Sequence, residues 1–178
     1  MTGEFAGLFL ARHGETDYNA GRRFQGLLPV PLNATGLAQA AELAELAAGY
    51  DFRKLWSSPL LRARQTADIV AARIGLEPVE DARLVETDTG DWTDRSFAEM
   101  DAEHPQAMAA FRAGDIHFAF PGGESYRHQT ERTMAALRDI GADLLPALVV
   151  CHAMVIRLAL ADLGRPVERV GNAALIEL

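Results

Sequence analysis

The stretch LFLARHG, residues 8–14, is an apolar run that stops at an arginine, a histidine and a glycine. A short apolar run that ends at a turn-permissive glycine is typical of a buried strand. In open α/β sheets, ligands bind at the edge where the parallel strands end. The stretch therefore predicts a central strand that delivers Arg12 and His13 to a binding edge.

Strand and helix patterns alternate along the rest of the chain. The strands, with the first, are predicted at 7–11, 54–57, 77–85, 147–151 and 173–178. Helical patterns fall at 35–48, 60–74, a broken 97–113, 125–140 and 153–163. This alternation favours an α/β fold. We expect one domain over residues 1–178, with three α/β/α layers and a mostly parallel central sheet.

The predicted helix ends follow from residue preferences. Thr35 and Ser125 carry the hydroxyl groups that cap helix N-termini, and Ser57 and Ser58 are expected to cap the helix before Arg62. Three glycines, which favour helix C-termini, follow the predicted helices at Gly75, Gly141 and Gly164.

The composition limits the classes of ligand. The chain has 178 residues, and 17 basic against 25 acidic side chains give a net charge of −8. Such a charge disfavours nucleic acid and anionic membranes, so an anion would need a focused pocket. The single cysteine, Cys151, excludes an intramolecular disulfide and a cysteine-rich zinc site. We expect no signal peptide or membrane helix, and a cytoplasmic location.

Chemistry-bearing side chains stand where the predicted strands pass into loops or helices: Arg12 with His13, Arg62, Glu86 and His152. In a parallel sheet, these positions converge on one edge. Two cations, two imidazoles and a carboxyl group suit phosphoryl transfer, which needs a nucleophile, charge stabilisation and a proton donor. The set requires no metal and no cofactor, and the spacing of the remaining histidines predicts no metal site.

Six blocks, in chain order, carry a family resemblance. They are LARHGETDYN (10–19), RFQG (23–26), SSPLLRARQTA (57–67), LVETDTGDW (84–92), PGGES (121–125) and VVCHA (149–153). Together they resemble the motifs of the histidine phosphatase superfamily, the phosphoglycerate-mutase-like enzymes, along nearly the whole chain.

The resemblance implies roles for individual residues. His13 would be the nucleophile that becomes phosphohistidine, and Arg12, Arg62 and His152 would surround the phosphate. Glu86 would protonate the departing alcohol and then activate water, helped by acidic neighbours that favour its protonated form. The resemblance also implies that Asn19 and Gln25 face the bound phosphoryl group or its ester, and that the loop with Ser125 lines the rim of the site.

The residues beside the entrance suggest what the rest of the substrate meets. Arg22 and Arg23 would accept a second anionic group. Apolar residues near the entrance, Phe24 and Trp92 among them, would contact the rest of the substrate.

Three positions depart from the family pattern. Ala153 stands where glycine commonly follows the second histidine, and it fits only with a negative φ. Asp94 stands where glycine is usual, and Pro29 where aspartate is common. These departures concern the loops around Glu86 and the pocket entrance.

The sequence favours a metal-independent phosphatase, a phosphoric monoester hydrolase acting on a small phosphorylated metabolite. A phosphoglycerate mutase is the enzyme alternative, because it uses the same phosphohistidine. A phospho-ligand binding module without turnover is the alternative from another class. The sequence leaves open which phosphomonoester is bound and the oligomeric state, a homodimer included.

Overall fold

The computed structural model describes residues 3–178 and has a five-stranded sheet at its centre. The strands are β1 (Leu8–Arg12), β2 (Lys54–Ser57), β3 (Pro78–Glu80), β4 (Ala147–Cys151) and β5 (Leu175–Glu177), in the spatial order β3-β2-β4-β1-β5. All neighbouring pairs are parallel except β1 and β5. The prediction of a mostly parallel sheet is confirmed.

Seven helices surround this sheet in the described part of the chain. They are α1 (Asp17–Ala20), α2 (Ala34–Ala47), α3 (Leu61–Ile74), α4 (Phe97–Glu103), α5 (Pro105–Ala113), α6 (Tyr126–Gly141) and α7 (Ala153–Asp162). None of the helices in residues 3–178 combines the length and apolar character needed to cross a membrane.

Alternating side chains of the central strands form two apolar layers. Phe9 and Ala11 of β1 point to the layer that α2 and α3 cover, and Leu8 and Leu10 point to the layer under α6 and α7. Because both faces of the sheet are covered, β4 is apolar throughout and β1 is apolar up to its last residue, Arg12, as expected for buried parallel strands. The three-layer α/β/α arrangement is confirmed.

A third apolar cluster lies under α4 and α5, beside the ends of the strands. It contains Phe24, Trp92, Met100 and Met108, with Phe118 and Phe120. Trp92 is 3% exposed and packs edge-on against Phe24. The expectation that Trp92 contacts substrate is therefore wrong, since its ring belongs to this cluster.

Three predicted boundaries are corrected by the structure. The strand expected over 77–85 ends at Glu80, because Asp81 caps a 3₁₀ turn over Ala82–Leu84. Asn33, rather than Thr35, caps α2 by accepting a hydrogen bond from the amide of Gly36. Gly141 lies inside α6, whose C-cap is Ala142.

Other helix ends follow the predictions. Gly75 ends α3 in the left-handed conformation, and Ser125 caps α6 through the amide of His128. The 97–113 segment is broken into two helices at His104, before Pro105. At the start of α3, however, the N-cap residue is Leu60, without a side-chain cap. The predicted capping role of Ser57 and Ser58 is therefore wrong.

Candidate active site

The carboxyl ends of β1 and β4 bring two histidines together. Arg12 pairs in register with Cys151, so His13 and His152 leave adjacent strands side by side. Their ring centroids lie 5.2 Å apart. A cavity of about 1080 Å³ opens at this edge, and Arg12, His13, Arg62 and Glu86 are in its lining. The structure thus brings together the chemistry-bearing groups that the sequence singled out, with His152 buried beside His13.

The protonation of His13 follows from its neighbours. Its Nδ1 lies 2.6 Å from the carbonyl oxygen of Gly14, which can only accept a hydrogen bond. Nδ1 therefore carries the proton, and Nε2 is unprotonated. The lone pair of Nε2 accepts a hydrogen bond from Arg62 Nε at 3.3 Å. Burial, reinforced by the charges of Arg62 and Arg12, holds the pKa of His13 well below its usual value. His13 is thus a neutral imidazole with Nε2 as its basic atom.

Arg62 lies in the first turn of α3, and its acceptors within residues 3–178 are all neutral. Besides His13, its guanidinium donates to the carbonyl oxygens of Leu28 at 3.0 Å and Gly26 at 2.9 Å. The side chain is buried, and this burial lowers its pKa to about 10. No carboxylate of the described chain pairs with it. A buried cation in this state favours an anionic ligand.

Like Arg62, Arg12 at the end of β1 donates to a main-chain carbonyl oxygen. One terminal nitrogen donates to the carbonyl of Val170 at 2.7 Å, whereas its buried Nε has no partner within residues 3–178. Burial lowers the pKa of Arg12, although the charge of Glu86 opposes this effect. Arg12 therefore retains N–H donors for a ligand.

His152 sits at the start of α7, fully buried. Its Nε2 lies 2.7 Å from Ser58 Oγ, which also accepts from the amide of Leu60 at 3.3 Å. We assign the hydroxyl proton to this Nε2, which leaves the ring proton on Nδ1, a buried atom with no partner among the described residues. Burial and Arg62 lower the pKa of His152 well below its usual value. A neutral N–H donor thus stands beside His13.

Glu86 reaches the pocket from the loop after the 3₁₀ turn, and not from a strand end as expected. Its Oε1 accepts from the amide of Thr87 at 3.0 Å and from Gln129 at 3.4 Å, and its Oε2 accepts from the amide of Met154 at 3.4 Å. The acidic neighbours expected to assist it, Asp88, Asp91 and Asp94, are outside the pocket lining. Contacts from its own loop, from α6 and from α7 therefore position the Glu86 carboxyl group.

The expected substrate-binding residues divide into two sets. Asn19, Gln25 and Arg23 line the pocket. Gln25 accepts from the hydroxyl of Thr16 at 2.9 Å, which fixes its amide. Ser125 lies outside the lining and caps α6, so the structure does not support its expected contact with substrate.

The sequence analysis missed part of the basic lining. Seven arginines and three glutamates line the pocket of a chain whose net charge is negative. The arginines of the lining that the sequence did not single out are Arg112, Arg157 and Arg169. Only Arg157 had a usable signal, because it lies one helical turn after Ala153 on α7. The others come from loops and helix ends that sequence periodicity does not place in space.

The departures from the family pattern have different outcomes. Ala153 is the first residue of α7 and has no positive φ, so it meets the condition set for it. Asp94 has a φ of 67°, in the region that favours glycine. Pro29 is outside the pocket lining, next to the carbonyl of Leu28 that binds Arg62.

No group of three or more histidine, cysteine, aspartate or glutamate side chains in residues 3–178 is placed to hold a metal ion. The donors that converge here are guanidinium and imidazole N–H groups, which bind oxyanions. The arrangement can bind a phosphoryl group, attack it with an imidazole and supply a proton from a carboxyl group.

Comparison with known proteins agrees with this geometry. The family model "Histidine phosphatase superfamily (branch 1)" matches residues 8–176. A glucosyl-3-phosphoglycerate phosphatase of Mycolicibacterium vanbaalenii is 35% identical over 96% of this chain and 83% of its own. Phosphoglycerate mutase-like protein 4 of Arabidopsis thaliana is 36% identical over 97% of this chain and 78% of its own.

Solved structures similar to this one are also those of phosphatases. A mycobacterial glucosyl-3-phosphoglycerate phosphatase complexed with VO3 superposes with a TM-score of 0.86 and 35% identity, over 94% of this chain and 90% of that one. An α-ribazole-5'-P phosphatase of Escherichia coli, described as putative, has a TM-score of 0.78 and 30% identity, over 94% and 87%. The chain therefore belongs to the histidine phosphatase superfamily, branch 1.

Proposed function

We propose that the protein is a metal-independent phosphatase that hydrolyses a small phosphomonoester through a phosphohistidine on His13. The observation that carries this proposal is the state of His13. The Nε2 atom of His13 carries no proton, so its lone pair is available for attack on phosphorus. Arg62, Arg12 and Glu86 line the same pocket. A nucleophile, anion-binding groups and a proton donor are thus present together.

In the first step, His13 Nε2 attacks phosphorus. The N–P bond forms as the bond from phosphorus to the alcohol oxygen breaks. Glu86 in its protonated form gives its proton to that oxygen, so a neutral alcohol leaves. Arg12, Arg62 and the Nδ1–H of His152 donate to the phosphoryl oxygens, where negative charge concentrates in the transition state.

In the second step, water attacks the phosphohistidine. The Glu86 carboxylate takes a proton from the water as the new O–P bond forms and the N–P bond breaks. Inorganic phosphate leaves, His13 returns to its neutral form and Glu86 is protonated again. The carbonyl of Gly14 keeps the Nδ1 proton in place throughout and stabilises the positive charge that develops on the ring.

The test is phosphate release from p-nitrophenyl phosphate in excess EDTA at mildly acidic pH. We compare the native protein with His13→Ala, and with His117→Ala, which changes an exposed histidine. Activity should survive the chelator and the His117 change, and it should be lost on removal of His13. Rapid acid-free quenching should trap one phosphoryl group on the native chain. Undiminished turnover by His13→Ala would refute the proposal.

Phosphoglycerate mutase is the second candidate, because mutase names occur among the relatives. A mutase passes the phosphoryl group from histidine to a second substrate, whereas a phosphatase passes it to water. Incubation with 3-phosphoglycerate and a trace of the 2,3-bisphosphate separates them. Free phosphate supports the phosphatase; isomerised product without free phosphate supports the mutase; binding without either product supports a binding module.

The relatives also supply the first substrate to test. Several are named for glucosyl-3-phosphoglycerate, a phosphorylated sugar acid. The cavity of about 1080 Å³ is larger than a phosphate group needs, and its outer wall includes Arg22 and Arg169. We therefore place sugar phosphates that carry a carboxylate first in a substrate screen.

A further inference from the structure

Asp94 stands at the pocket entrance in a conformation that costs free energy. Its φ of 67° lies in the left-handed region, which aspartate tolerates better than most residues. It ends a short antiparallel pairing in which Phe24 donates to the carbonyl of Arg95 and Asp94 donates to the carbonyl of Phe24, both at 2.9 Å. This pairing fixes Asp94 opposite Arg23.

The side chain of Asp94 holds two pocket residues. Its Oδ1 accepts from Arg23 at 2.7 Å and 3.3 Å and from the hydroxyl of Tyr18 at 2.8 Å, and its carbonyl oxygen accepts from Arg23 as well. Tyr18 and Arg23 line the pocket, whereas Asp94 does not. We call these three residues the entrance clamp. The clamp ties the guanidinium of Arg23 to an acid outside the cavity.

Arg22, which precedes Arg23 in the chain, makes different contacts. Arg22 places its guanidinium over the ring of Phe97, 5.9 Å from the centroid, and within residues 3–178 it makes no ion pair. Arg169, also exposed in the lining, makes none either. Of the two adjacent arginines at the entrance, only Arg22 therefore offers an uncompensated charge to a ligand.

We propose that Asp94 is a specificity-determining residue that weakens binding of a second anionic group on the substrate by neutralising Arg23. The proposal rests on the proposed function, because the bound molecule is a phosphomonoester whose alcohol part reaches the entrance. Arg23 then acts as a latent anion-binding residue. Hydrogen bonds from Arg23 and Tyr18 lower the pKa of Asp94, so the clamp stays ionised at mildly acidic pH.

Asp94→Asn tests this, because asparagine keeps the shape and tolerates the left-handed conformation. Binding of inorganic phosphate and of 3-phosphoglycerate is measured by calorimetry in a His13→Ala background, so that turnover does not interfere. The ratio of the two dissociation constants isolates the carboxylate-bearing part of the ligand. We expect Asp94→Asn to shift this ratio about two- to fivefold in favour of 3-phosphoglycerate, the size expected for exposed charge pairs.

Two control variants test whether the effect of Asp94→Asn acts through Arg23. Asp68→Asn removes the same charge from an exposed position on α3 and should leave the ratio unchanged. Arg23→Gln should remove the effect of Asp94→Asn, because the effect acts through Arg23. A shift that persists without Arg23, or no shift in Asp94→Asn, overturns the proposal. Because binding is measured without turnover, a failed phosphatase assay would not be confused with a failed clamp.

Discussion

At the residue scale, the site combines charged arginines with neutral histidines in one buried volume. Arg12 and Arg62 donate to main-chain carbonyls and have no acidic partner within the described chain. Burial of His13 and His152, reinforced by the charges of these arginines, holds the pKa values of both histidines low. The arginines that would bind phosphate in the proposed mechanism thus also favour the neutral form of His13. Anion binding and nucleophilicity are therefore set by one arrangement of charges.

The histidine pKa shifts predict that acid destabilises the free protein from about pH 6.5 downward. As the pH falls through this value, the unfolded chain binds protons at His13 and His152, and the folded chain does not. The free energy of unfolding must then decrease with decreasing pH, and above this range the two histidines contribute no pH dependence. Calorimetric unfolding between about pH 7.5 and 5 measures the effect.

His13→Gln is the matched variant for this prediction, because it removes one titrating group and leaves the other histidines in place. It should reduce the dependence of the unfolding temperature on pH. An equal dependence in both proteins would contradict the assignment of a low pKa to His13.

The sequence singled out the residues that the structure brings together in the proposed site, but not their protonation. The motifs pointed to His13, Arg62 and His152 because strand ends converge in a parallel sheet. The proton position on His13 depends on the carbonyl of Gly14, and that on His152 depends on Ser58, which the sequence suggested as a helix cap. The first contact joins neighbouring residues but requires the backbone and side-chain conformation that His13 adopts in the folded chain, and the second joins residues that are 94 positions apart. No sequence pattern gives either of them, so only the fold supplies them.

At the element scale, α2 supports the loop that follows His13 through a close contact between two glycines. Gly14 has no positive φ, so its conformation alone does not require glycine. A β-carbon on Gly14 would overlap the backbone of Gly36 on α2, and one on Gly36 would lie 2.7 Å from the amide nitrogen of Glu15. The absence of side chains at both positions lets the helix pack directly against the loop that carries His13.

Gly36→Ala should therefore destabilise the protein and slow turnover together. Overpacking of this kind costs about 1–3 kcal/mol, and a shift of the His13 loop by about 1 Å can reduce kcat about 100-fold. The unfolding temperature and kcat for p-nitrophenyl phosphate are the measurements. Gly141→Ala is the control, since a β-carbon there meets the carbonyl of Glu4 at an ordinary 3.5 Å. That change should leave kcat unaltered and slightly stabilise α6.

The wrong boundary of β3 has a related cause. The segment 77–85 is predicted as one strand, but Asp81 accepts from the amide of Arg83 and starts a 3₁₀ turn. Arg83 then pairs with Asp81 and with Asp139 of α6. A local side-chain cap and a contact with a distant helix outweigh strand propensity here, and the resulting turn carries Glu86 to the pocket. Strand propensity depends on the local sequence and does not include the contact of Arg83 with Asp139 on α6.

At the scale of the whole molecule, the strands that form the core also carry the site. β4 lies between β1 and β2, is buried at every residue and ends at Cys151, immediately before His152. Packing around Cys151 comes from the layer under α6 and α7. Stability of this layer and placement of His152 are consequently linked, and ligand binding at the strand ends should stabilise the fold as a unit.

Cys151 offers a direct test of this linkage. The side chain is fully buried, and burial raises the pKa of its thiol, so the folded protein should resist thiol reagents. Labelling of Cys151 then requires unfolding. Inorganic phosphate that binds the folded protein should therefore slow labelling, because binding increases the free energy of unfolding. At a phosphate concentration of 100 times its dissociation constant, labelling should be about 100-fold slower. Arg62→Ala, which lacks one of the proposed phosphate ligands, should lose this protection while its labelling in denaturant stays fast. Rapid labelling of the native protein, or equal rates with and without phosphate, would show that the site and the core open independently.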